Sequence, residues 1–152
     1  PAAFAAAIAT DGQVFAEPWL VGPEYTVGIL QGEALPAIRI ETPNTFYDYE
    51  AKYLRNDTQY HCPAGLSLEA ERHMAALARG AFAAAAGEGW GRVDFMMDVT
   101  GRPLLLEINT VPGMTDHSLV PMAAAAAGID FDTLVWRVLE TSCRGQAAGA
   151  GA

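Results

Sequence analysis

Short apolar runs, several of them alternating with polar residues, recur along this chain and predict β-strands. We expect five strands, at 13–20, 24–31, 35–41, 92–98 and 104–109. Val21-Gly22-Pro23 separates the first two strands and Thr100-Gly101 separates the last two, and both are turn signals. Because short turns join antiparallel neighbours, the first three strands should form a meander and the last two a hairpin.

Three longer segments carry the start and stop signals of helices, at 68–86, 119–127 and 131–142. Each follows a residue that can cap a helix N-terminus: Ser67, Ser118 and Asp130. Glu69 and Glu71 suit the first turn of the first helix, which Gly87 or Gly89 should end, and Gly128 follows the second helix. The last helix carries one apolar stripe, formed by Phe131, Leu134, Val135, Val138 and Leu139.

In two parts of the chain, hydrophobic residues do not recur with a clear period. Segment 42–65 is rich in Pro, Asn, Asp and Gly, and a loop longer than about 12 to 15 residues is usually functional or disordered. Segment 145–152 consists largely of Gly and Ala, which predicts a flexible tail. The chain lacks an initiating Met and opens on an Ala-rich stretch typical of a helix end, so we expect a fragment of a longer protein.

Composition narrows the class of protein. The 152 residues are 51% hydrophobic, which is typical of a globular chain that can bury a core. A net charge of −9 provides no basic footprint for nucleic acid. No apolar run approaches the roughly 18 residues of a membrane helix. Cys62 and Cys143 are far apart without a CxxC motif, so free cytosolic thiols are expected rather than a disulfide or a zinc site.

The predicted hairpin brings acidic residues together. Symmetry about Thr100-Gly101 predicts four cross-strand pairs: Met97–Leu104, Phe95–Leu106, Asp94–Glu107 and Arg92–Asn109. Because directly opposite residues share a face, Arg92, Asp94, Glu107 and Asn109 should lie on one side of the sheet. Two carboxylates about 4 Å apart repel by about 1 kcal/mol in water and by about 4 kcal/mol at an effective dielectric of 20.

A hard divalent cation would relieve this repulsion. Two carboxylates and an amide oxygen are ligands that Mg²⁺ accepts, usually together with substrate phosphates. Glu107 lies within an apolar run, where an acid needs a partner. The alternative is that Asp94 and Glu107 are unrelated surface acids and that Arg92 simply pairs with Asp94. A register slip of one residue would place the two acids on opposite faces.

These residues also belong to longer motifs. They are Glu17-Pro18-Trp19-Leu20, Gly22-Pro23-Glu24-Tyr25-Thr26-Val27, the segment Phe46-Tyr47-Asp48-Tyr49-Glu50-Ala51-Lys52-Tyr53, Gly91-Arg92-Val93-Asp94, the segment Leu106-Glu107-Ile108-Asn109-Thr110-Val111-Pro112-Gly113-Met114-Thr115, and His117-Ser118-Leu119-Val120-Pro121. Over about 13–140 the chain closely resembles the C-terminal part of D-alanine–D-alanine ligases, members of the ATP-grasp superfamily.

The resemblance implies an α+β fold of the ATP-grasp type, an antiparallel sheet flanked by helices, with only its C-terminal portion present. Residues 1–66 would be part of the central subdomain, with a lid loop at 42–66. Residues 67–144 would form the C-terminal subdomain, followed by the tail at 145–152. The first-substrate site would lie in the missing N-terminal part, and the complete enzyme is expected to be a homodimer.

The resemblance also implies a reaction. ATP, with Mg²⁺ or alternatively Mn²⁺, would activate one D-alanine as an acyl phosphate, and a second D-alanine would attack it. The product would be D-alanyl-D-alanine, which is used in peptidoglycan synthesis and therefore supports cell shape. The reaction would take place in the cytoplasm. No nucleic acid or membrane partner is expected. The fragment alone should be inactive. The alternatives are another ATP-grasp carboxylate–amine ligase and a non-catalytic nucleotide- or metal-binding fragment.

The resemblance assigns residue roles. The nucleotide would contact Glu17, Trp19, Leu20, Glu24, Phe46, Lys52, Met96 and Leu106. The metal ligands would be Asp94, Glu107 and Asn109. Lys52 would reach the transferred phosphoryl group, and Tyr53, near the amino-acid pocket, favours the peptide-forming branch over the ester-forming branch. Arg92 and the Gly113 backbone would stabilise the oxyanion, and Ser118 with Leu119 would hold the carboxylate of the second D-alanine.

Overall fold

The computed structural model describes residues 2–10, 12–42 and 58–144 of the chain. In chain order its elements are α1 (Ala2–Thr10), β1 (Glu24–Leu30), β2 (Glu33–Ala34), β3 (Ile38–Glu41), β4 (Gln59–His61), α2 (Leu68–Ala84), β5 (Trp90–Met97), β6 (Pro103–Asn109), α3 (Leu119–Ala126) and α4 (Phe131–Arg144).

The strands of the described residues form one antiparallel sheet. Its order is β4-β3-β1-β5-β6, and β2 also pairs with β1. The expected α+β architecture is therefore confirmed. The sheet includes strands from both sides of the boundary predicted at 66/67, and that division into subdomains stays a prediction.

Helices cover the two faces of the sheet. The α2 face is the side on which Tyr25, Val27 and Ile29 of β1 and Val93 and Phe95 of β5 pack with Met74, Ala78 and Phe82 of α2. The α3 face is the opposite side, where Leu30, Ile38 and Ile40 pack with Leu119, Val120, Ala123, Ala124 and Leu134. The period of two along β1 separates these two sets. Both cores remove apolar surface from water, which is the main favourable contribution to folding.

The prediction of a strand at 13–20 is wrong. Residues 13–23 have no regular secondary structure, and most of their side chains are exposed. A strand needs a neighbour for its backbone hydrogen bonds, but the two edges of β1 are already paired with β3 and β5. The apolar pattern of 13–20 therefore reflects exposed side chains and not a buried strand.

The third predicted strand and the long loop also need correction. The strand predicted at 35–41 begins only at Ile38, after Pro36, which cannot donate a ladder hydrogen bond. Within the loop predicted at 42–65, Gln59–His61 forms β4 and pairs with β3. Three residues are too few to show a period. Residues 43–57, including Phe46, Lys52 and Tyr53, lie outside the described residues.

The predicted helix starts are confirmed. Ser67 Oγ accepts a hydrogen bond from Ala70 N at 3.2 Å, and Asp130 Oδ1 accepts one from Thr133 N at 2.8 Å. That backbone hydrogen bond also lowers the pKa of Asp130. The end of α2 differs from the prediction. The helix ends at Ala84, and the first left-handed residue after it is Ala86, with φ 53°, while Gly89, also left-handed with φ 73°, follows three residues later.

The apolar stripe of α4 is only partly covered. Leu134 is fully buried, whereas Phe131, Val135 and Leu139 are each about half exposed. Among the described residues, no single helix has the length and apolar character to cross a bilayer. The bent pair Leu119–Ala126 and Phe131–Cys143 meets that criterion only when taken together, by length and composition alone. Cys62 and Cys143 are both free, and burial raises the pKa of the Cys62 thiol.

Candidate functional site

The β5–β6 hairpin contains a β-bulge that corrects the register between its two ends. Near the turn, Met97 pairs with Pro103, Met96 with Leu104 and Phe95 with Leu105. At the other end, Asp94 pairs with Glu107 and Arg92 with Asn109. The predicted pairs Met97–Leu104 and Phe95–Leu106 are therefore wrong by one residue. The predicted pairs Asp94–Glu107 and Arg92–Asn109 are confirmed, because the bulge absorbs Leu106.

The turn explains the error near it. Asp98 Oδ1 accepts hydrogen bonds from Thr100 N at 2.8 Å, Thr100 Oγ1 at 2.6 Å and Arg102 N at 3.0 Å. These bonds hold a connection over 98–102 that is centred on Thr100, not between Thr100 and Gly101. The Thr100 hydroxyl first, and then the backbone of Arg102, lower the pKa of Asp98 to about 2.

Five polar residues meet on the α3 face, and we call them the polar cluster: Thr26, Arg92, Asp94, Glu107 and Asn109. Arg92 and Asp94 form a two-bond ion pair, with Nε to Oδ1 at 2.9 Å and Nη2 to Oδ2 at 2.7 Å. The Thr26 hydroxyl donates to Asp94 Oδ1 at 2.6 Å. A buried carboxylate with a bidentate arginine and a hydroxyl donor is well compensated.

The second carboxylate of the cluster is more open. The Glu107 side chain is 57% exposed, and its Oε1 lies 4.0 Å from Arg92 Nη2. Arg92 therefore lies between two acids and reduces their repulsion. The alternative hypothesis expected Arg92 to pair with Asp94, and this ion pair is present. Arg92, Asp94, Glu107 and Asn109 nevertheless lie on the same face of the sheet, as the metal-site hypothesis expected. Asn109 Oδ1 accepts a hydrogen bond from Val111 N at 3.1 Å.

The donor set of the cluster fits a hard divalent cation. A carboxylate has about four lone-pair directions, and three donors from Arg92 and Thr26 leave one at Asp94. An amide oxygen accepts two hydrogen bonds, so Asn109 Oδ1 keeps one direction beside its bond to Val111. Three oxygen ligands from a protein are compatible with Mg²⁺ that completes its shell with phosphates and water. The part of the chain that the structure describes holds no group of three His, Cys, Asp or Glu arranged for a metal.

Two of the predicted nucleotide residues lie next to the cluster. Glu24, the first residue of β1, is directly opposite Met96 of β5. Glu24 is two residues before Thr26, and Met96 is two residues after Asp94, so both side chains share the face of the cluster. Leu106 is the residue at the bulge and is partly exposed. Along this face, the pair formed by the acid Glu24 and the apolar Met96 is thus followed by the pair formed by Thr26 and Asp94 of the polar cluster.

The segment that carries Glu17, Trp19 and Leu20 is attached to the same hairpin. Pro23 O accepts a hydrogen bond from Met97 N at 2.9 Å. A Cβ atom at Gly22 would lie 1.8 Å from Met97 O, so only glycine allows this close approach. Glu17 and Trp19 are exposed, and Leu20 is half-buried. The structure thus anchors the C-terminal end of this segment beside Met96 and Met97.

The Gly/Pro loop after β6 brings two further predicted residues together. A Cβ atom at Gly113 would lie 2.9 Å from Ser118 Oγ. Ser118 occupies the N-cap position of α3, but its hydroxyl accepts from Thr115 N at 2.9 Å and makes no side-chain cap bond. Leu119 is buried in the α3-face core. The first-turn N–H groups of an eight-residue helix are therefore not used by the Ser118 hydroxyl.

Thr26 was not predicted from the sequence. Its place two residues after Glu24 on a predicted strand signals the shared face. Its contact with Asp94 depends on the pairing of β1 with β5, which local patterns do not specify.

The antiparallel sheet with helices on both faces is an architecture that this chain shares with solved D-alanine–D-alanine ligases, and this similarity places the chain in the ATP-grasp class. The particular family follows from the sequence comparison. The family model "D-ala D-ala ligase C-terminus" matches residues 1–140, and the chain belongs to this family.

Individual relatives agree with this assignment. A D-alanine–D-alanine ligase from Alkalilimnicola ehrlichii is 62% identical over 146 residues, covering 96% of this chain and 47% of the relative. One from Halorhodospira halophila is 58% identical, covering 93% of this chain and 47% of the relative. A crystal structure of the D-alanine–D-alanine ligase from Bacillus anthracis complexed with ATP has a TM-score of 0.74 at 30% identity, covering 88% of this chain and 42% of that chain. The chain spans about half the length of the curated relatives that it matches.

Proposed function

We propose that this chain is the C-terminal catalytic part of an ATP-dependent D-alanine–D-alanine ligase. The γ-phosphoryl group of ATP passes to the carboxylate of one D-alanine, which gives an acyl phosphate and ADP. The amine of a second D-alanine attacks that carbonyl, phosphate leaves, and the amine loses a proton as the peptide bond forms. The observation that carries the proposal is the polar cluster, in which Asp94 faces Glu107 and Arg92 faces Asn109.

Asp94, Glu107 and Asn109 would hold Mg²⁺, or Mn²⁺ in its place, and the ion would neutralise charge on the phosphates. The chain itself contributes a fixed positive charge, the guanidinium of Arg92. Arg92 is held in place by Asp94, and a guanidinium in this position can stabilise negative charge that develops on an acyl phosphate or a tetrahedral oxygen. Such preorganised donors typically contribute about 2.7 to 4 kcal/mol to transition-state stabilisation.

The nucleotide would bind along the face that begins at Glu24. A carboxylate at this position can accept hydrogen bonds from the ribose hydroxyls. Met96 and Leu106 supply apolar surface, and Glu17, Trp19 and Leu20 complete the adenine side of the proposed pocket. For Phe46, Lys52 and Tyr53, which lie outside the described residues, the proposal relies on the resemblance alone.

The second amino acid would bind at the N-terminus of α3. Ser118 and the backbone of Leu119 would hold its carboxylate, because N–H groups in the first helical turn favour an anion. The backbone of Gly113, which lies against Ser118, would assist Arg92 at the oxyanion. D-Alanine is therefore the proposed substrate. Testing other amino acids as substrates distinguishes a D-alanine–D-alanine ligase from another carboxylate–amine ligase.

The test uses the full-length protein that contains this chain. We expect phosphate release from ATP that depends on D-alanine and on a divalent cation, with D-alanyl-D-alanine as the product. Phosphate release that follows another amine would favour a different ATP-grasp ligase. Nucleotide binding without turnover would favour the non-catalytic alternative.

The 152 residues alone are expected not to catalyse the reaction. They span about half the length of the matched relatives, and phosphoryl transfer depends mainly on positioning by the whole site. Phosphate release assayed on the purified 152-residue chain, beside the full-length protein, measures this directly. The partner proposed for the chain is thus the remaining part of the same enzyme, and for the complete enzyme a second copy of itself.

A further inference from the structure

Thr26 lies directly opposite Asp94 across the β1–β5 strand pair. Its hydroxyl donates to Asp94 Oδ1 at 2.6 Å, a distance typical of a hydrogen bond from a hydroxyl to a carboxylate. Thr26 is only 1% exposed and Asp94 only 5% exposed. The contact is therefore shielded from water and is made between the central strand and the strand that carries the proposed metal ligand.

The surroundings of Thr26 would suit an apolar residue. Its cross-strand neighbour on the other side is Ile38, which belongs to the α3-face core. A buried hydroxyl is costly unless it is hydrogen-bonded, and valine has nearly the same shape without that cost. The hydroxyl also lies 3.5 Å from Val93 O, but Asp94 Oδ1 is the much closer acceptor, and the bond to Asp94 accounts for a threonine here.

Charge compensation of Asp94 does not require this bond. Arg92 already supplies a full positive charge through two hydrogen bonds, one to each carboxylate oxygen. Both come from the same strand as Asp94, two residues away. Thr26 adds a donor from a different strand, so the carboxylate is fixed relative to β1 and not only relative to its own strand. The effect of Thr26 is therefore on the orientation of Asp94.

We propose that Thr26 is a positioning residue that orients the Asp94 carboxylate for divalent-cation binding. The inference rests on the proposed function, because that function assigns the cation to Asp94, Glu107 and Asn109. Groups that hydrogen-bond to a metal ligand orient it, and their removal typically weakens metal affinity or activity by about 10- to 100-fold. Thr26 touches neither the substrate nor the cation in this proposal.

The test is a Thr26→Val variant of the full-length protein. Mn²⁺ affinity is measured by electron paramagnetic resonance in the presence of a non-hydrolysable ATP analogue. We expect the affinity to fall by about 10- to 100-fold, as for other residues that support a metal ligand. Turnover at a low Mn²⁺ concentration should fall in parallel and recover substantially at a high concentration. Affinity for the nucleotide analogue without a divalent cation should change little.

Three further variants separate orientation from stability. Thr26→Ser keeps the hydroxyl and should restore most of the Mn²⁺ affinity, whereas Thr26→Ala removes it and should not. This pair differs only in the hydroxyl and keeps the test informative if the valine variant folds poorly. Val27→Ala is the matched control, because Val27 is equally buried but faces α2. It should lower the melting temperature without changing Mn²⁺ affinity.

Parent-like Mn²⁺ affinity in Thr26→Val, or equal affinities in the serine and alanine variants, would overturn the inference. A loss of affinity in Val27→Ala as large as that in Thr26→Val would also overturn it, since general destabilisation would then suffice. Failure of the proposed function has a different signature. In that case the unsubstituted full-length protein itself shows no D-alanine-dependent phosphate release or no nucleotide-dependent Mn²⁺ binding.

Discussion

The two ends of the β5–β6 hairpin are held together in different ways. At the turn, short-range hydrogen bonds converge on the Asp98 carboxylate, and Val99 beside it is 93% exposed. At the opposite end, the buried Asp94 is held by Arg92 and by Thr26 from another strand. The turn end is therefore stabilised locally, whereas the cluster end depends on the packed sheet. The proposed chemistry lies at the cluster end, whereas the turn end sets where the hairpin reverses and anchors the segment before β1.

The largest effect is expected at the cluster end. Glu107→Gln in the full-length protein should reduce ATP turnover at least about a hundredfold, because it removes one charged ligand of the proposed cation. The fold should remain intact, since the Glu107 side chain is mostly exposed. Initial rates at saturating substrate, with melting temperatures, provide the measurement. Glu33→Gln, on the exposed end of β2, is the control that removes the same charge elsewhere. Near-normal turnover in Glu107→Gln would refute the metal assignment.

A second substitution strains the turn end instead. Gly22→Ala would place a Cβ atom 1.8 Å from Met97 O, so the segment before β1 must move away from the hairpin. We expect destabilisation of about 1 to 3 kcal/mol, in the range of other overpacking substitutions, measured by denaturant unfolding. Nucleotide affinity should also fall, because Trp19 and Leu20 lie on that segment.

Gly80→Ala is the matched control for this strain. Gly80 lies in α2, and a Cβ atom there would meet nothing within 4 Å. It should stabilise the helix by up to about 1 kcal/mol. If Gly22→Ala is as stable as the parent, the close approach of Gly22 to Met97 is not a feature of the folded protein.

The smallest expected effect is the pH dependence of the folding stability that Asp98 contributes at the turn. The pKa of Asp98 is lowered to about 2 from the ordinary 3.8, so its ionised form is favoured by folding. This contribution to stability is fully present above about pH 4 and is lost as the pH falls through the folded-state pKa near 2. Asp98→Asn removes the titrating group but keeps an oxygen acceptor.

The unfolding free energies of the parent and of Asp98→Asn should therefore differ by a constant amount above about pH 4 and converge towards pH 2. Both are measured by urea unfolding across this range. A difference that does not change with pH would show that the carboxylate charge does not contribute at this position.

The sequence predicted the cluster end better than the turn end, for a physical reason. Asp94 and Glu107, and Arg92 and Asn109, have the register expected from a symmetric hairpin. The true turn is centred on Thr100 and not between Thr100 and Gly101, which shifts the register beside the turn by one residue, and the bulge at Leu106 compensates for this shift. Local patterns do not reveal a bulge, because the extra residue, Leu106, continues the apolar run of Leu104 and Leu105.

Other differences also come from contacts between distant parts of the chain. The apolar pattern of 13–20 suggested a strand, but both edges of β1 are occupied. β4 has only three residues and becomes a strand by pairing with β3. Thr26 acquires its contact with Asp94 through the pairing of β1 with β5. Helix caps, by contrast, depend on neighbouring residues, and Ser67 and Asp130 were therefore predictable.

The Leu106 bulge has a consequence for protein engineering. Because the bulge takes up the one-residue difference in register between the turn and the cluster, we expect the hairpin tip to accept a change of length while Asp94 stays opposite Glu107. Exposed loop tips are also where inserted segments are best tolerated. An epitope tag or a fluorescent-dye site placed between Thr100 and Gly101 would therefore label the protein at a distance from its proposed chemistry.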